Sequence, residues 1–280
     1  MSKRLMTIQE LQKTEVEILQ AFHLFCEKHH LRYYLGGGTA IGAIRHHGFI
    51  PWDDDIDVMM PRPDYVKFQQ LCPNGMLDAY RKLDSRQVDP DCPSAIVRIY
   101  DTRTEITFDN FRIPYTIGCW IDVFCIDGVE SDPKKRKKQF REMRVANDLF
   151  ICCLTKFGGK RRSKMATILQ YALLPALPFI RAVGYKKYLR WIDDIAKRHD
   201  FDACEYVGVL GGRAGVKETM KKSSMEPAQL MDFDGYQFYV AANYDEYLTN
   251  LYGDYMQLPP ESERVSRHEI NVYWKEGMEP

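Results

Sequence analysis

The chain has no surplus of charge of either sign. Lysine and arginine together number 39, aspartate and glutamate also number 39, and the sequence pI is about 7.0. Proteins that bind nucleic acid usually carry a basic surplus or a basic stripe that attracts the phosphate backbone. The balanced composition gives no sign of such an attraction, and we expect no nucleic-acid partner.

The cysteines do not form a metal-binding or disulfide pattern. None of the 8 cysteines stands in a C-x2-C pair, and they are scattered along the chain. The N-terminal stretch MSKRLMTIQELQKTEVEILQ is amphipathic and contains acidic residues, unlike the hydrophobic region of a secretory signal. We therefore expect reduced thiols and a cytoplasmic protein.

No hydrophobic run is as long as a membrane-spanning helix. The longest, from Met165 to Ile180, has about 16 residues and contains Pro175 and Pro178, whereas a span needs about 20. Two interpretations remain open for this run. It is either a buried helical hairpin or an insert at the inner face of a membrane, where flanking cations give a peripheral contact.

The most informative stretch begins with three glycines, Gly36, Gly37 and Gly38. Residues 32–35 have the pattern of a short strand, and residues 39–46 that of a helix. Glycines let a backbone approach phosphate oxygens closely, and a helix that starts after them directs free N–H groups at an anion. The pattern predicts a phosphate-binding turn. Arg45 and His46 lie within reach of such a phosphate, although a surface position is equally consistent.

A cluster of acids follows at Asp53, Asp54, Asp55 and Asp57. The alternation from Asp55 to Val58 predicts a half-buried strand, with Asp55 and Asp57 on one face and Ile56 and Val58 towards the core. Carboxylates on one face suit Mg²⁺ or Mn²⁺, and a metal site beside a phosphate cradle is typical of phosphoryl transfer. A solvated acidic turn is the alternative.

A further acid, Asp122, lies inside another predicted strand, which is otherwise apolar. In the run from Gly118 to Gly128, Asp122 stands between Ile121 and Val123. Burial of a carboxylate is costly unless the group is paired or bound to a metal. Asp127, just before Gly128, is interpreted as a turn residue. Arg98 lies in another predicted strand, where a phosphate contact and a surface position are both open.

The remaining elements are predicted from periodicity and caps. Thr7 and Glu10 form a capping box at the start of a helix that ends at His30. Further helices are predicted at 61–71, from Ser131 onwards, at 187–201 and at 243–252. Strands are predicted at 80–83, 95–101 and 105–108, and a strand or a hairpin at 232–240. The glycine-rich segment 208–215 lacks the Lys-Ser/Thr of a phosphate loop, so it is interpreted as an ordinary loop.

The run GGGTAIGAIRHHGFIPWDDDIDVMMPRPDYVKF resembles the signature of the LicD family. That family includes bacterial phosphocholine transferases and is related to fukutin-type ribitol-phosphate transferases. The run IDVFCIDG and the C-terminal LYGDYMQLPP, with Arg264 and His268 beyond it, are also similar to family segments. Ala242 stands where the family commonly has proline, which affects the expected local turn. The resemblance extends from Tyr33 to His268, but residues 131–231 carry no matching motif.

The resemblance implies an α+β fold. Its core would be a nucleotidyltransferase (polymerase-β-like) domain, with a mixed β-sheet flanked by helices and a helical insertion. The implied organisation is a catalytic core with the N-terminal helix at 1–130, an insertion facing the membrane or the acceptor at 131–200, and a part that completes the domain at 201–280.

The resemblance also implies the chemistry of the site. Asp55, Asp57 and Asp122 would hold Mg²⁺ or Mn²⁺, and Gly37, Gly38 and Thr39 would bind the phosphates of the donor. Asp53 and Arg98 are further candidates for contact with the substrate. The candidate bases are His46, His268, Asp55 and Asp57. Trp52 is a candidate for packing against a nucleobase or a choline ammonium, and packing on the loop beneath it is the alternative.

The implied reaction is transfer of a phospho-alcohol from CDP-choline, CDP-ribitol or CDP-glycerol. The acceptor would be a hydroxyl of a glycan or lipid-linked glycan, such as a lipopolysaccharide or teichoic-acid precursor. Two alternatives stay open: nucleotidyl transfer from an NTP with release of pyrophosphate, and a non-catalytic module that binds nucleotide or glycan.

Overall fold

A computed structural model describes residues 4–156, 174–265 and 271–278. His268 and most of the apolar run, residues 165–173, lie outside the described residues. No helix of the described part has both the length and the apolar composition needed to cross a bilayer. All 8 cysteines fall in the described ranges and are free thiols.

The helices agree closely with the periodicity of the sequence. They are α1 Ile8–His29, α2 Gly37–Ile41, α3 Arg62–Leu71, α4 Pro133–Leu154, α5 Leu177–Val183, α6 Tyr185–Ala196 and α7 Tyr244–Tyr252. The predicted capping box is confirmed at α1, where the Glu10 N–H donates to Thr7 Oγ1 over 3.2 Å and the Thr7 N–H donates to Glu10 Oε2 over 2.9 Å. Asp132 caps α4 in the same way through the N–H groups of Lys134 and Lys135.

The strands are mostly short. They are β1 Arg4–Leu5, β2 Tyr34–Leu35, β3 Asp57–Pro61, β4 Arg81–Asp84, β5 Val97–Asp101, β6 Thr104–Thr107, β7 Thr116–Ile117, β8 Trp120–Val129, β9 Tyr206–Gly208, β10 Thr219–Lys221, β11 Gln229–Phe233, β12 Tyr236–Val240 and β13 Tyr273–Trp274. The last residues before β13 also return to the core, since Val272 is buried beside Trp274.

The main sheet is mixed, as expected for an α+β protein. Its order is β10-β9-β8-β3-β2, with β5 also paired to β8 and β4 paired to β5. β3 and β8 run parallel at its centre, whereas their other partners run antiparallel. A smaller sheet joins both chain ends in the order β1-β13-β6-β7, and β11 and β12 form a hairpin. The mixed sheet with flanking helices confirms the α+β class.

Two apolar cores support these layers. The larger one packs α1 and α3 against the main sheet through residues such as Phe22, Phe68 and Ile121. The second lies between α4, α5 and α6 and includes Phe140, Met143, Leu189 and Ile192. The predicted division of the chain into 1–130, 131–200 and 201–280 stays a prediction.

Three local predictions need correction. β3 begins at Asp57 and not at Asp55, because Ile56 contributes only a carbonyl, which accepts the Asp122 N–H over 2.9 Å. α2 begins at Gly37 and not at Thr39, so two of the three glycines are helical. Asp127 is not a turn residue: it lies buried in β8 and accepts a hydrogen bond from Arg62 Nε over 2.6 Å.

Candidate active site

The glycine turn is fixed to the backbone of Asp57 on both sides. The Gly36 N–H donates to the Asp57 carbonyl over 2.9 Å, and the Asp57 N–H donates to Thr39 Oγ1 over 2.9 Å. Thr39 is buried, so its hydroxyl oxygen serves as a fixed acceptor for the start of β3. These bonds set the position of the first strand carboxylate relative to the N-terminus of α2.

Gly37 and Gly38 lie close to the acids, and Gly37 has a backbone conformation that favours glycine. Gly37 has φ +47°, and a Cβ there would lie 3.5 Å from Asp57 Oδ2, while one at Gly38 would lie 3.0 Å from Asp53 Oδ2. Glycine is the residue that adopts positive φ without steric cost and lets backbone approach another group closely. The turn therefore brings the backbone of Gly37 close to Asp57 and that of Gly38 close to Asp53.

Asp57 and Asp122 are aligned by strand register. β3 and β8 pair in parallel, and Asp57 is the Cα partner of Asp122. Side chains of partnered residues in a parallel pair project from the same face of the sheet. The two carboxylates thus stand side by side at the amino ends of the two central strands.

The three acids before β3 form a close cluster. Carboxylate oxygens of Asp53, Asp54 and Asp55 all lie within 4.8 Å of one another. This loop is held from α1, where Gln12 Nε2 donates to the Asp53 carbonyl over 2.9 Å. Asp54, which is not among the sequence-predicted ligands, therefore joins the cluster, and the strand pair Asp57 and Asp122 stands beside it.

Burial and mutual repulsion raise the pKa values of Asp53 and Asp57. Burial raises the pKa of Asp57 well above its usual range, and the charges of Asp55 and Asp122 raise this pKa further. The pKa of Asp53 rises to about 7 through burial and through Asp55. Acids so destabilised as anions need a counter-charge to ionise together.

Arg98 supplies part of that counter-charge. Its Nε donates to Asp122 Oδ1 over 2.9 Å and its Nη1 to the Tyr115 hydroxyl over 3.2 Å, and Tyr115 in turn donates to Asp84. The guanidinium also lies 5.2 Å from the centre of the Trp120 ring, whose Nε1 donates to the same Asp122 oxygen over 3.0 Å. The structure therefore places Arg98 against a site carboxylate; its contact with a phosphate stays a prediction.

Glu15 is a site residue that the sequence analysis missed. It projects from α1, is only 3% exposed, and its Oε2 has no hydrogen-bond partner among the described residues. Burial raises its pKa well above the usual range, and the charges of Asp55, Asp54, Asp53 and Asp122 add to the shift in that pKa. Its position in the sequence could have revealed it. Glu15 lies on the same face of the helix as Leu11, Ile18 and Phe22, and a helix normally buries apolar residues on such a face.

Comparisons with known proteins identify the family of this chain. A sequence profile described as the LicD/FKTN/FKRP nucleotidyltransferase domain matches residues 30–116. The chain is 34% identical over 270 residues to the lipopolysaccharide cholinephosphotransferase LicD of Haemophilus influenzae, covering 96% of this chain and 98% of that protein. The chain belongs to the LicD family.

Two shorter matches cover much less of the chain. An uncharacterised protein of Rickettsia typhi is 35% identical over 65 residues, which is 23% of this chain and 21% of that protein. One of Rickettsia prowazekii is 35% identical over 57 residues, or 20% of this chain and 21% of that protein. Neither carries a functional name, so the argument about activity depends on the full-length relative.

Helix α7 and the start of the C-terminal LicD-like motif pack against the glycine turn. The Gly37 N–H donates to the Tyr247 hydroxyl over 3.3 Å, and a Cβ at Gly37 would lie 3.3 Å from the Tyr252 hydroxyl. Residues 209–214 of the glycine-rich segment form a loop, as predicted, whereas Gly208 ends β9 and Gly215 begins a 3₁₀ turn. The loop also lies near the site, because the Arg213 charge lowers the pKa of Asp57 against the larger upward effects. Segments far apart in sequence thus surround one carboxylate.

Arg45, His46 and Trp52 of the LicD signature contact protein groups in this structure. Arg45 Nη1 donates to the Tyr255 carbonyl over 2.5 Å, and its Nε donates to His46 Nε2 over 2.9 Å. Trp52 packs edge-on to His46 with ring centres 6.4 Å apart, and the Arg264 guanidinium lies 5.7 Å from its ring centre. These contacts favour a role in joining the signature to the C-terminal segment; substrate contacts of the three residues stay predictions.

The donor set fits a hard divalent cation. Every candidate ligand is a carboxylate, and oxygen-only sets of this kind suit Mg²⁺ or Mn²⁺. The pKa values of Asp53 and Asp57 are raised mainly by burial and further by neighbouring carboxylates, so a bound cation would allow these acids to ionise together. Asp55, Asp57 and Asp122, with Asp53 and Asp54 adjacent, are the residues that would hold the ion.

Proposed function

We propose that this LicD-family protein transfers phosphocholine from CDP-choline to a hydroxyl of a lipopolysaccharide or related glycan, on a nucleotidyltransferase-like core. The observation that carries the proposal is the alignment of Asp57 with Asp122 beside a glycine turn bonded to both sides of the Asp57 peptide. The name of the full-length relative supplies the group transferred and the acceptor class. CDP-ribitol and CDP-glycerol remain the alternative donors to be tested.

Different residues have different roles in the proposed reaction. Backbone N–H groups at Gly37 and Gly38 bind the donor's phosphates, as N–H groups at helix starts do, and a phosphate oxygen replaces the Tyr247 hydroxyl as the acceptor of the Gly37 N–H. The acceptor hydroxyl oxygen forms a bond to the phosphorus of phosphocholine, the bond from that phosphorus to the CMP oxygen breaks, and a carboxylate, Asp55 or Asp57, takes the hydroxyl proton. When bound, Mg²⁺ supplies charge neutralisation for the pyrophosphate. Arg98 holds Asp122 in place throughout.

Asp57→Asn tests the proposal. The amide keeps the shape of the side chain but removes the aligned charge, so we expect CMP release from CDP-choline in the presence of acceptor to fall about 10³-fold. Mn²⁺ binding, followed by electron paramagnetic resonance, should weaken at the same time, while circular dichroism stays unchanged. Asp148→Asn, at a side chain 72% exposed on α4, is the control and should retain activity.

Two results would refute the assignment. Full activity in Asp57→Asn would remove the aligned carboxylates from the reaction. Release of pyrophosphate from an NTP, with no CMP from any CDP-alcohol, would show nucleotidyl transfer at the same site instead.

A further inference from the structure

A cavity of about 460 Å³ lies at the β4 edge of the main sheet. Its volume is within the range of pockets that bind small molecules. Lys82 and Asp84 of β4, Tyr100 of β5 and Tyr115, just before β7, are among the residues that line it. None of these is a candidate metal ligand, so the cavity is separate from the cation site.

Strand register aligns this cavity with the candidate active site. The strands β4, β5, β8 and β3 pair in this order, and the Cα partners from strand to strand are Asp84, Arg98, Asp122 and Asp57. Partnered residues project from the same face of a sheet, and neighbouring strands lie about 4.8 Å apart, so the backbone of Asp84 is roughly 10 Å from that of Asp122. A ligand that fills the cavity can therefore extend one of its groups along this face to Asp122.

The cavity and the glycine turn lie on opposite sides of the aligned acids. The turn follows β2, which pairs with β3 on the side away from β8, whereas β5 and β4 lie beyond β8. In phosphoryl transfer the attacking and leaving oxygens are roughly in line, on opposite sides of the phosphorus. The proposed function places the phosphate of the leaving CMP at the glycine turn. The attacking hydroxyl then comes from the side of β5, where the cavity is.

The residues around the cavity suit a neutral ligand that is rich in hydroxyl groups. Its aromatic lining residues are Tyr100, Tyr115 and Tyr185, and its charged ones are Lys82, Asp84, Asp89 and Asp91. Three aspartates with one lysine disfavour a phosphate or another anion. A sugar ring presents C–H groups that pack on aromatic faces, and its hydroxyls form hydrogen bonds with carboxylates and with an ammonium.

Lys82 and Tyr100 are available to bind such a ligand. They are Cα partners on β4 and β5, and both are half-buried. Neither the Lys82 ammonium nor the Tyr100 hydroxyl has a hydrogen-bond partner among the described residues. Tyr100 is also the Cα partner of Trp120, whose indole Nε1 donates to Asp122 Oδ1 over 3.0 Å. Aromatic side chains thus continue from the cavity to the acids.

Tyr115 is held in place and joins the cavity to the active site. Its ring stacks on that of Phe111, with ring centres 5.5 Å apart and an angle of 7° between the planes. Its hydroxyl accepts a hydrogen bond from Arg98 Nη1 over 3.2 Å and donates one to Asp84. Because Arg98 also bonds Asp122, this part of the cavity is formed before any ligand binds and is fixed relative to the acids.

We propose that this cavity binds the acceptor glycan through one of its sugar rings, with Tyr100 as the packing surface and Lys82 as a hydrogen-bond donor. The inference rests on the proposed phosphocholine transfer and deepens it, because it assigns the acceptor a place of its own. It requires that a sugar and CDP-choline bind to the protein at the same time.

The test measures the binding of simple sugars to the full-length protein. Saturation-transfer NMR titrations with the methyl glycosides of glucose, galactose and N-acetylglucosamine would be carried out with and without CDP-choline and Mg²⁺. We expect at least one of these sugars to bind. Its Kd should change less than about twofold when the donor is added, because ligands at separate places do not compete.

Two variants and a control locate the bound sugar. Tyr100→Ala removes a packing surface and a hydroxyl and should raise the Kd of that sugar at least about tenfold, whereas Lys82→Met removes one donor and should raise it at least about threefold. Both should keep their affinity for CDP-choline in isothermal titration calorimetry. Tyr236→Ala, at a side chain 39% exposed on the β11–β12 hairpin, should bind the sugar as the wild type does.

Three results would overturn the inference and leave phosphocholine transfer standing. Displacement of the sugar by CDP-choline would assign the cavity to the donor, and this comparison needs no variant. Absence of binding of all three sugars to the wild-type protein would remove the acceptor subsite, and so would unchanged sugar affinity in both variants. Failure of the wild-type protein to bind CDP-choline with Mg²⁺ would instead overturn the proposed function.

Discussion

Arg98 holds Asp122 by geometry as well as by charge. The guanidinium bonds Asp122 through Nε and Tyr115 through Nη1, and it covers the Trp120 ring. A planar fork can meet these partners together, whereas a lysine ammonium acts as a point charge. Arg98 therefore sets the direction of the Asp122 carboxylate towards Asp57.

Arg98→Lys isolates this directional role. The change keeps the positive charge but loses at least one hydrogen bond to a charged group, worth about 1.5–3 kcal/mol, so we expect kcat for phosphocholine transfer to fall about 10- to 100-fold. KM for the donor should change much less, because Arg98 faces the carboxylate. Steady-state kinetics on CDP-choline measure both constants.

Arg86→Lys is the matched control for that change. Arg86 forms a similar fork, with two bonds of 2.8 Å to Asp193, but its partner lies on α6, away from the acid cluster. It should lose a comparable amount of stability in urea unfolding and keep its activity. If Arg98→Lys and Arg86→Lys were equally active, Arg98 would have only a structural role.

The sequence could predict a site residue where its immediate neighbours in the chain make it unusual. Asp57 and Asp122 stand out as acids in apolar strands, and the structure aligns them. Glu15 and Asp127 could not be assigned in this way. The environment of Glu15 comes from the acid loop and that of Asp127 from Arg62, and neither contact is encoded in a local pattern.

The glycine turn, α2 and β3 act as one element. α2 continues directly into a π-helical turn over Gly42–His46, which presents Arg45 to the C-terminal segment. Irregular helical turns of this type are frequent at functional sites. The element thus joins the candidate phosphate-binding amides at one end to the Tyr255 carbonyl at the other.

Gly37→Ala tests the turn. Alanine at φ +47° is strained, and its Cβ would lie 3.3 Å from the Tyr252 hydroxyl and 3.5 Å from Asp57 Oδ2, so we expect at least a tenfold fall in kcat/KM. Gly184→Ala also places alanine at positive φ (+83°, with ψ 139°), a conformation that favours glycine, but nothing lies within 4 Å of its Cβ. Both variants should lose at least about 1 kcal/mol in urea unfolding, and equal activity in the two would remove the turn from the site.

Element types could be predicted more reliably than their boundaries. Strand, glycine turn, helix and acidic strand follow in the predicted order, but β3 starts two residues later than the alternation indicates. The reason is physical: a strand extends only as far as its neighbours pair with it, and the parallel register of β3 with β8 begins at Asp57 and Asp122. The helix limit at Gly37 depends in the same way on the bonds from Gly36 and Thr39 to Asp57.

At the scale of the whole molecule, both chain ends close around the site. β13 pairs with β1 and β6, which places Val272, Leu11 and Ile106 around a small cavity at the acid cluster. Contacts of such wide sequence separation depend on the complete fold, so the sequence motifs predict the catalytic acids but not the cavity beside them.

The cluster also has a predictable effect on global stability. In the folded protein Asp53 has a pKa of about 7, whereas an exposed aspartate in the unfolded chain has a pKa near 3.9. Between these values the folded state binds more protons, so its free energy of unfolding falls as pH rises towards 7. With EDTA present, Asp53→Asn should therefore gain about 2 kcal/mol over wild type between pH 5 and pH 8 in urea unfolding.

The difference in stability between wild type and Asp53→Asn excludes the pH effects of groups that both proteins contain. His23 and His46 have pKa values lowered by burial, which makes stability rise with pH, but this contribution is the same in wild type and variant. Saturating Mg²⁺ should stabilise the wild-type protein more at pH 8 than at pH 5, because the ion binds the ionised carboxylates. A stability difference that does not change with pH, or that Mg²⁺ leaves untouched at pH 8, would show that these acids do not form a cation site.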